Sequence, residues 1–338
     1  MALNQIELWN GMSVPRIGIG TWVMGGEQFN SQGKPAGWSN VNDATSLKTL
    51  LTAFEMGVRI IDTSGSYGAG RSERIIARAI SESDLGREDF IVCSKAGILC
   101  DSASGNIIGT TDIKDDIGAA IDASLKRLKT DYLDLVKFHI NRHPVERSQG
   151  VFEAFSEAHK AGKVKAFGWS NDDLEGSLAF AQQGGYVAVQ HDLNLFSPAD
   201  DLLRAIEKYS LWSFNRQPLA MGLLSGKYNG DYPKIGNNDL RSSGFEWLRY
   251  FDRNGAPTKN LTKALDAVRS LLTADGRSLA QGALGWCLAQ SERAIPLPGC
   301  RTPEQALDNF GVLKLNPMDS SIIAEIHKIL SDLPLSTG

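Results

Sequence analysis

A chain of 338 residues with 42% apolar and 22% charged side chains has the makeup of a globular protein long enough to bury a full core without staples. Its 35 basic and 39 acidic side chains give a formal net charge of −4, which offers no basic footprint for nucleic acid or for an anionic membrane surface; an anion must be held locally. Cys93, Cys100, Cys287 and Cys300 form no CxxC pair and share no ligand spacing with the five histidines, the first residues lack a secretory leader pattern, and no apolar run approaches a membrane span, so the expectation is a cytoplasmic protein without disulfides or a structural metal.

Short apolar, β-branched runs alternate along the chain with segments of helical period. IGIGTW (17–22) precedes a helical pattern over 43–57, VRIID (58–62) one over 72–80, and FIVCSK (90–95) one over 113–128. YLDLVKFH (132–139) is followed by 150–162, VKAFGWS (164–170) by 173–183, and VAVQ (187–190) by 199–209. LWSFN (211–215) leads, after a long excursion, to 277–290, and RAIPLP (293–298) leads to 302–313. These are eight strand–helix units. Their strands read as continuous apolar runs, as they do when both faces of a parallel sheet are covered, and the count favours a (β/α)8 TIM barrel occupying the whole of 1–338. A doubly wound sheet would open its first helix with GxGxxG, which does not occur. Two stretches fall outside the units: the Gly-rich 23–42, with Trp38, and 226–260, with Tyr228, Tyr232, Phe245, Trp247 and Tyr250. Both follow strands and are expected at the C-terminal mouth. SSIIAEIHKIL (320–330) reads as a terminal amphipathic helix.

The strand ends are polar. Asp62, Lys95 and His139 close three successive strands, and Ser170-Asn171, Gln190 and Asn215-Arg216 close the next three. In a barrel these ends converge on one mouth, where buried charges must satisfy one another. In RIIDTSGSYG (59–68), Tyr67 follows Asp62 by five residues, close enough to join them.

Here the chain resembles the aldo-keto reductases, from its first strand to the region of Asn309. DTSGSYG, CSKAG and KFHIN match the family's catalytic segments. The resemblance implies a tetrad of Asp62, Tyr67, Lys95 and His139, reversible carbonyl reduction, and NADPH or NADP+ as cofactor. A carbonyl accepting hydride develops charge on oxygen and needs a proton donor there. Tyr67 is the expected general acid in reduction and base in oxidation, with Lys95 expected to lower its pKa, Asp62 to hold Lys95, and His139 to position the carbonyl.

FGWSN (167–171), PLAMGLLSGKY (218–228) and LPGCRTPEQALDN (297–309) match cofactor-binding segments of the same family. Ser170, Asn171 and Gln190 supply groups suited to a carboxamide. By resemblance Gly20, Thr21, Trp22, Asp62 and Asn215 join them, and Gln217, Leu219, Gly222 and Lys227 line the pyrophosphate. Where many relatives place an aromatic ring on the nicotinamide this chain has Arg216, whose planar guanidinium can also lie against a ring. Thr302 and Pro303 form an N-cap and first turn, and that helix start with Arg301 makes a phosphate trap beside Gly299, Gln305 and Asn309, favouring NADPH over NADH.

Trp22, Trp38, Tyr67, Phe138, His139, Asn141 and Trp169 are expected to line the substrate pocket. No obligate protein partner is evident. Two rivals remain at this level: a non-catalytic NADPH-sensing subunit, since the family resemblance extends to ion-channel regulatory subunits, and a Schiff-base aldolase on the same barrel with Lys95 as nucleophile.

Overall fold

The computed structural model describes residues 5–228 and 235–335; Tyr232 of the second mouth loop lies outside them. The chain opens with a hairpin not anticipated from sequence, β1 (Gln5–Glu7) antiparallel to β2 (Ser13–Pro15). The barrel follows: β3 (Gly18–Gly20), α1 (Asp43–Glu55), β4 (Ile60–Asp62), α2 (Arg71–Glu82) and β5 (Ile91–Ala96). A second unanticipated hairpin, β6 (Ile98–Cys100) with β7 (Ile107–Thr110), rises from the mouth before α3 (Lys114–Leu128). Then come β8 (Leu135–Phe138), α4 (Val145–Lys160), β9 (Phe167–Ser170), α5 (Leu174–Leu178), β10 (Tyr186–Asp192), α6 (Asp200–Lys208) and β11 (Trp212–Arg216). The chain ends with α7 (Lys259–Leu272), α8 (Leu279–Gln290), β12 (Ala294–Pro296), α9 (Pro303–Phe310) and α10 (Ser320–Ser331).

Eight strands form one parallel sheet in the order β3-β4-β5-β8-β9-β10-β11-β12. The ends of this sheet meet through a single parallel bridge between Gly20 and Gly299, with the Gly20 N–H donating to the Pro298 carbonyl at 3.0 Å. The (β/α)8 barrel read from the sequence is therefore the fold. All eight strands fall on the anticipated runs.

Two differences among the helices have local causes. α5 is shorter than the 173–183 pattern: it carries Gly176, where a Cβ would lie 2.4 Å from the Asn171 amide nitrogen. α7 begins inside the stretch assigned to a mouth loop, because Leu261, Ala264, Leu265, Val268 and Leu272 recur at helical spacing and are buried. No helix among the described residues is long and apolar enough to cross a membrane.

Strand alternation creates two cores. Ile60, Ile91, Cys93, Leu135, Ala166, Ala188, Phe214 and Ile295 fill the barrel, closed at one end by Leu8 and Val14 of the first hairpin. Ile61, Val92, Val136, Phe138, Phe167, Trp169 and Val189 belong to the separate core shared with the helices. Counting by twos from the interior set reaches Asp62 on β4, Lys95 on β5, Lys137 on β8, Gln190 on β10 and Arg216 on β11. The barrel fold thus delivers a polar layer directly above an apolar plug.

Candidate active site

Lys95 is the hub of this layer. Its ammonium donates to Asp62 Oδ2 at 2.7 Å, to the Thr63 carbonyl at 2.6 Å and to the Tyr67 hydroxyl oxygen at 3.0 Å. Three acceptors match the three N–H bonds of an ammonium and leave no free electron pair for a Schiff base, which weighs against the aldolase alternative. Because Lys95 donates, Tyr67 accepts through a lone pair, and its own O–H is left for a molecule in the cavity that Tyr67 lines.

Electrostatics departs from expectation at Tyr67. Burial, reinforced by the nearby Asp62 charge, pushes the phenol well above its ordinary pKa, and Lys137 and Arg216 oppose this only in part. Tyr67 therefore stays protonated at neutral pH. Asp62 is an anion, held down to about 2: burial acts against its charge, but Lys137 and Lys95 outweigh it. Burial also depresses Lys95, opposed by Asp62. His139 falls well below the imidazole range through burial and then the Lys95 charge, so it is neutral. Its Nδ1 lies 3.1 Å from Ser64 Oγ, which is 2.9 Å from Ser66 Oγ, so Nε2 is the nitrogen left for the cavity.

A cavity of about 610 Å³ opens over this cluster. Of the anticipated residues, Gly20, Thr21, Trp22, Trp38, Asp62, Tyr67, His139, Asn141, Gln190, Arg216, Gln217, Leu219, Gly222, Lys227, Gly299, Arg301, Gln305 and Asn309 all line it. Both mouth loops reach it, one bringing Trp38 and the other Arg241, Phe245 and Trp247. Trp22 anchors the aromatic wall, near-parallel to Tyr67 at 6.0 Å between ring centroids, edge-on to Trp38 and tilted to Trp247.

Several anticipated residues lie elsewhere. Phe138 and Trp169 are fully buried and do not line the cavity: alternation turns them toward the helices, where both rings meet Phe152, and Trp169 Nε1 donates to the Ile140 carbonyl. Ser170, Asn171 and Asn215 are buried and absent from the cavity wall. Ser170 Oγ accepts from Arg216, and Asn171 Oδ1 accepts the N–H groups of Arg142 and Asp173. Arg216 does line the cavity, but its guanidinium is clamped edgewise, donating to Asp172 Oδ2 at 2.6 Å and Asp192 Oδ1 at 3.1 Å.

The other end of the cavity is cationic. Lys227, Arg241 and Arg301 face it, and Asp239 pairs with Arg241. Burial, then repulsion from the two arginines, pulls Lys227 down to about 8. Arg301 donates to the backbone carbonyls of Ser39 and Asn40, tying the start of α9 to the first mouth loop. Thr302 caps α9, accepting from the Gln305 N–H with Pro303 in the first turn, as anticipated.

Sequence reading missed Lys137, Asp172, Asp192 and Arg241. The first carried a signal: a lysine inside the apolar run LVKF, two residues from His139.

These features define an oxidoreductase-type barrel, and comparison agrees. The glycerol dehydrogenase AKR11B4 from Gluconobacter oxydans superposes with a TM-score of 0.81 at 24% identity, over 99% of this chain and 98% of that one. An aldo-keto reductase from Klebsiella pneumoniae in complex with NADPH gives 0.69 at 22% identity, over 100% and 98%. The aldo-keto reductase YhdN of Bacillus subtilis (strain 168) is 30% identical over 323 residues, 94% of this chain and 91% of the relative. The model of the aldo/keto reductase family matches residues 16–331. The chain belongs to the aldo/keto reductase family.

Proposed function

We propose that this protein reversibly reduces an aldehyde or ketone with NADPH, and that Tyr67 gives the proton in reduction and takes it in oxidation. The observation that carries this reading is the Lys95 ammonium 3.0 Å from the Tyr67 oxygen at the wall of a deep cavity.

The cavity suits a dinucleotide. Gln190 and Gln217 line it, and the buried Oε1 of each finds no partner, as expected where a ligand N–H or O–H is to be met. Gln217, Ala220, Met221 and Gly222 all hold positive φ, a concentration of backbone strain that marks a ligand-shaped loop. Gly20 and Gly299 admit close approach, and Lys227, Arg241 and Arg301 match phosphate charge. NADPH, when bound, supplies hydride to the carbonyl carbon. The protein's part is proton transfer and orientation. Tyr67 and His139 Nε2 would converge on the carbonyl oxygen, Tyr67 as proton donor and neutral His139 as a hydrogen-bond donor in the tautomer that keeps its proton on Nε2 and accepts from Ser64 at Nδ1. The flat walls of Trp22, Trp38 and Trp247 would exclude water and hold the substrate's carbon frame. Four unpaired cysteines are consistent with a reducing, cytoplasmic setting.

The test follows NADPH absorbance with a panel of aliphatic and aromatic aldehydes, diketones and sugars. Turnover that is lost in Tyr67→Phe supports the reading. NADPH binding without turnover of any carbonyl would point to the sensing subunit instead.

A further inference from the structure

Lys137 is a second lysine on the catalytic carboxylate. It stands opposite Lys95 in the register of β5 and β8 and is fully buried. Its ammonium donates to Asp62 Oδ1 at 2.5 Å, while Lys95 holds Oδ2. The Phe214 ring centroid lies 4.8 Å from Lys137 Nζ, and its register partner on β9 is Gly168.

The charges within the Lys95–Asp62–Lys137 cluster do not balance. Two ammoniums share one carboxylate. Cys93 is a neutral thiol, pushed up to about 12 chiefly by burial. His139 is neutral, Asp134 is paired with Arg87, and the Arg216 clamp sets one guanidinium between two carboxylates, Asp172 and Asp192, so it adds no positive charge. Lys95 alone would neutralise Asp62. Burying a further ammonium is expensive, by several kcal/mol even after relaxation. Cys93 lies in the apolar plug, away from the cavity, whereas Tyr67 lines the cavity and is the neighbouring acid whose proton can exchange with a bound molecule. Lys137 heads the charges that pull that phenol down, against burial and Asp62.

We propose that Lys137 is a positioning residue for proton exchange: by taking one oxygen of Asp62 it makes the buried Lys95–Asp62–Lys137 group a net cation that favours the phenolate form of Tyr67, the hydroxyl that Lys95 contacts. The phenol then gives its proton to water, and the phenolate takes the proton of a substrate hydroxyl. This arrangement favours alcohol oxidation nearer neutral pH. It rests on Tyr67 being the proton-transferring group.

The experiment compares wild type, Lys137→Met, Lys137→Gln and Tyr67→Phe in both directions across pH, with thermal melts to verify folding. Both Lys137 variants should move the rising limb of alcohol oxidation upward by about one pH unit or more. Their oxidation kcat near neutrality should fall about tenfold, with KM for the alcohol and Kd for NADP+ little changed, and reduction on the acid side should fall less than oxidation. Should Lys137→Met not fold, Lys137→Gln, which keeps a donor on Oδ1 without charge, carries the test. Superimposable pH profiles, a wild-type profile in Lys137→Gln, or equal losses in both directions at every pH would overturn the proposal. Activity surviving in Tyr67→Phe would instead overturn the reading beneath it.

Discussion

Tyr67 receives a hydrogen bond from Lys95 rather than giving one, at 3.0 Å, and so keeps its own proton for the cavity. Tyr67→Phe deletes one oxygen from a ring that stacks on Trp22 and leaves that packing in place. Carbonyl reduction should fall by about 10²–10⁴-fold in kcat, with NADPH affinity within about threefold of wild type. Steady-state rates and a fluorescence titration check both halves; an unchanged kcat would remove Tyr67 from the chemistry.

Among the described residues, Asp62 is the sole carboxylate in contact with Lys95 and Lys137. Asp62→Asn leaves two buried ammoniums without their counter-ion, and unfolding free energy should drop by about 3–5 kcal/mol. Adding Lys137→Met should restore part of it. Urea denaturation of the single and double variants tests this, and a double variant no more stable than the single would show that the two residues do not share the charge.

How much of this was legible in the sequence depended on periodicity. The eight strands could be read because buried parallel strands are plain apolar runs, and Asp62, Lys95 and His139 because polar strand ends stand out against them. Lys137 escaped notice inside its run, although the two-residue alternation that turns Lys95 inward also turns its register partner inward. The same alternation, not applied at Phe138 and Trp169, would have removed them from the pocket. Arg216 was visible, but not its partners: Asp172 lies in the loop after β9 and Asp192 ends β10, and only the fold brings them together.

That clamp makes a prediction of its own. Arg216→Leu leaves Asp172 and Asp192 facing each other without a cation, and burial already raises the Asp192 carboxyl. Both should then take up protons more readily in the folded protein. The loss of stability should be greatest at about pH 8 and shrink toward about pH 5, as protonation relieves the pair. Denaturation at several pH values checks it; a deficit independent of pH would mean that packing, not charge, is what Arg216 contributes.

Arg301 ties the cationic end of the cavity to Ser39 and Asn40. Arg301→Ala should weaken NADPH by about 10–100-fold and NADH by less than about threefold, the difference expected for one charge-assisted contact to a phosphate. Calorimetry with both cofactors decides; equal losses would show that Arg301 acts through the loop it anchors.

His191 is fully buried, with Nε2 2.7 Å from Ser213 Oγ, and burial pulls its pKa down to about 4. The unfolded imidazole titrates near 6.5, so below that pH the unfolded chain binds a proton that the folded chain refuses. Its stabilising contribution is intact above about pH 6.5 and is lost as the pH falls to about 4, roughly 3 kcal/mol in all. His191→Gln should flatten that part of the stability profile. A slope identical to wild type would assign it to other groups.

The seam at Gly20 and Gly299 has a mechanical meaning. One backbone bridge joins the first strand of the barrel to the last, and both glycines border the cavity. A molecule seated there acts as a rivet between the beginning and the end of the fold. Occupancy and closure of the ring should then be linked equilibria: ligand should raise the resistance of the seam to opening, and amide exchange at Gly20 should slow in step with saturation.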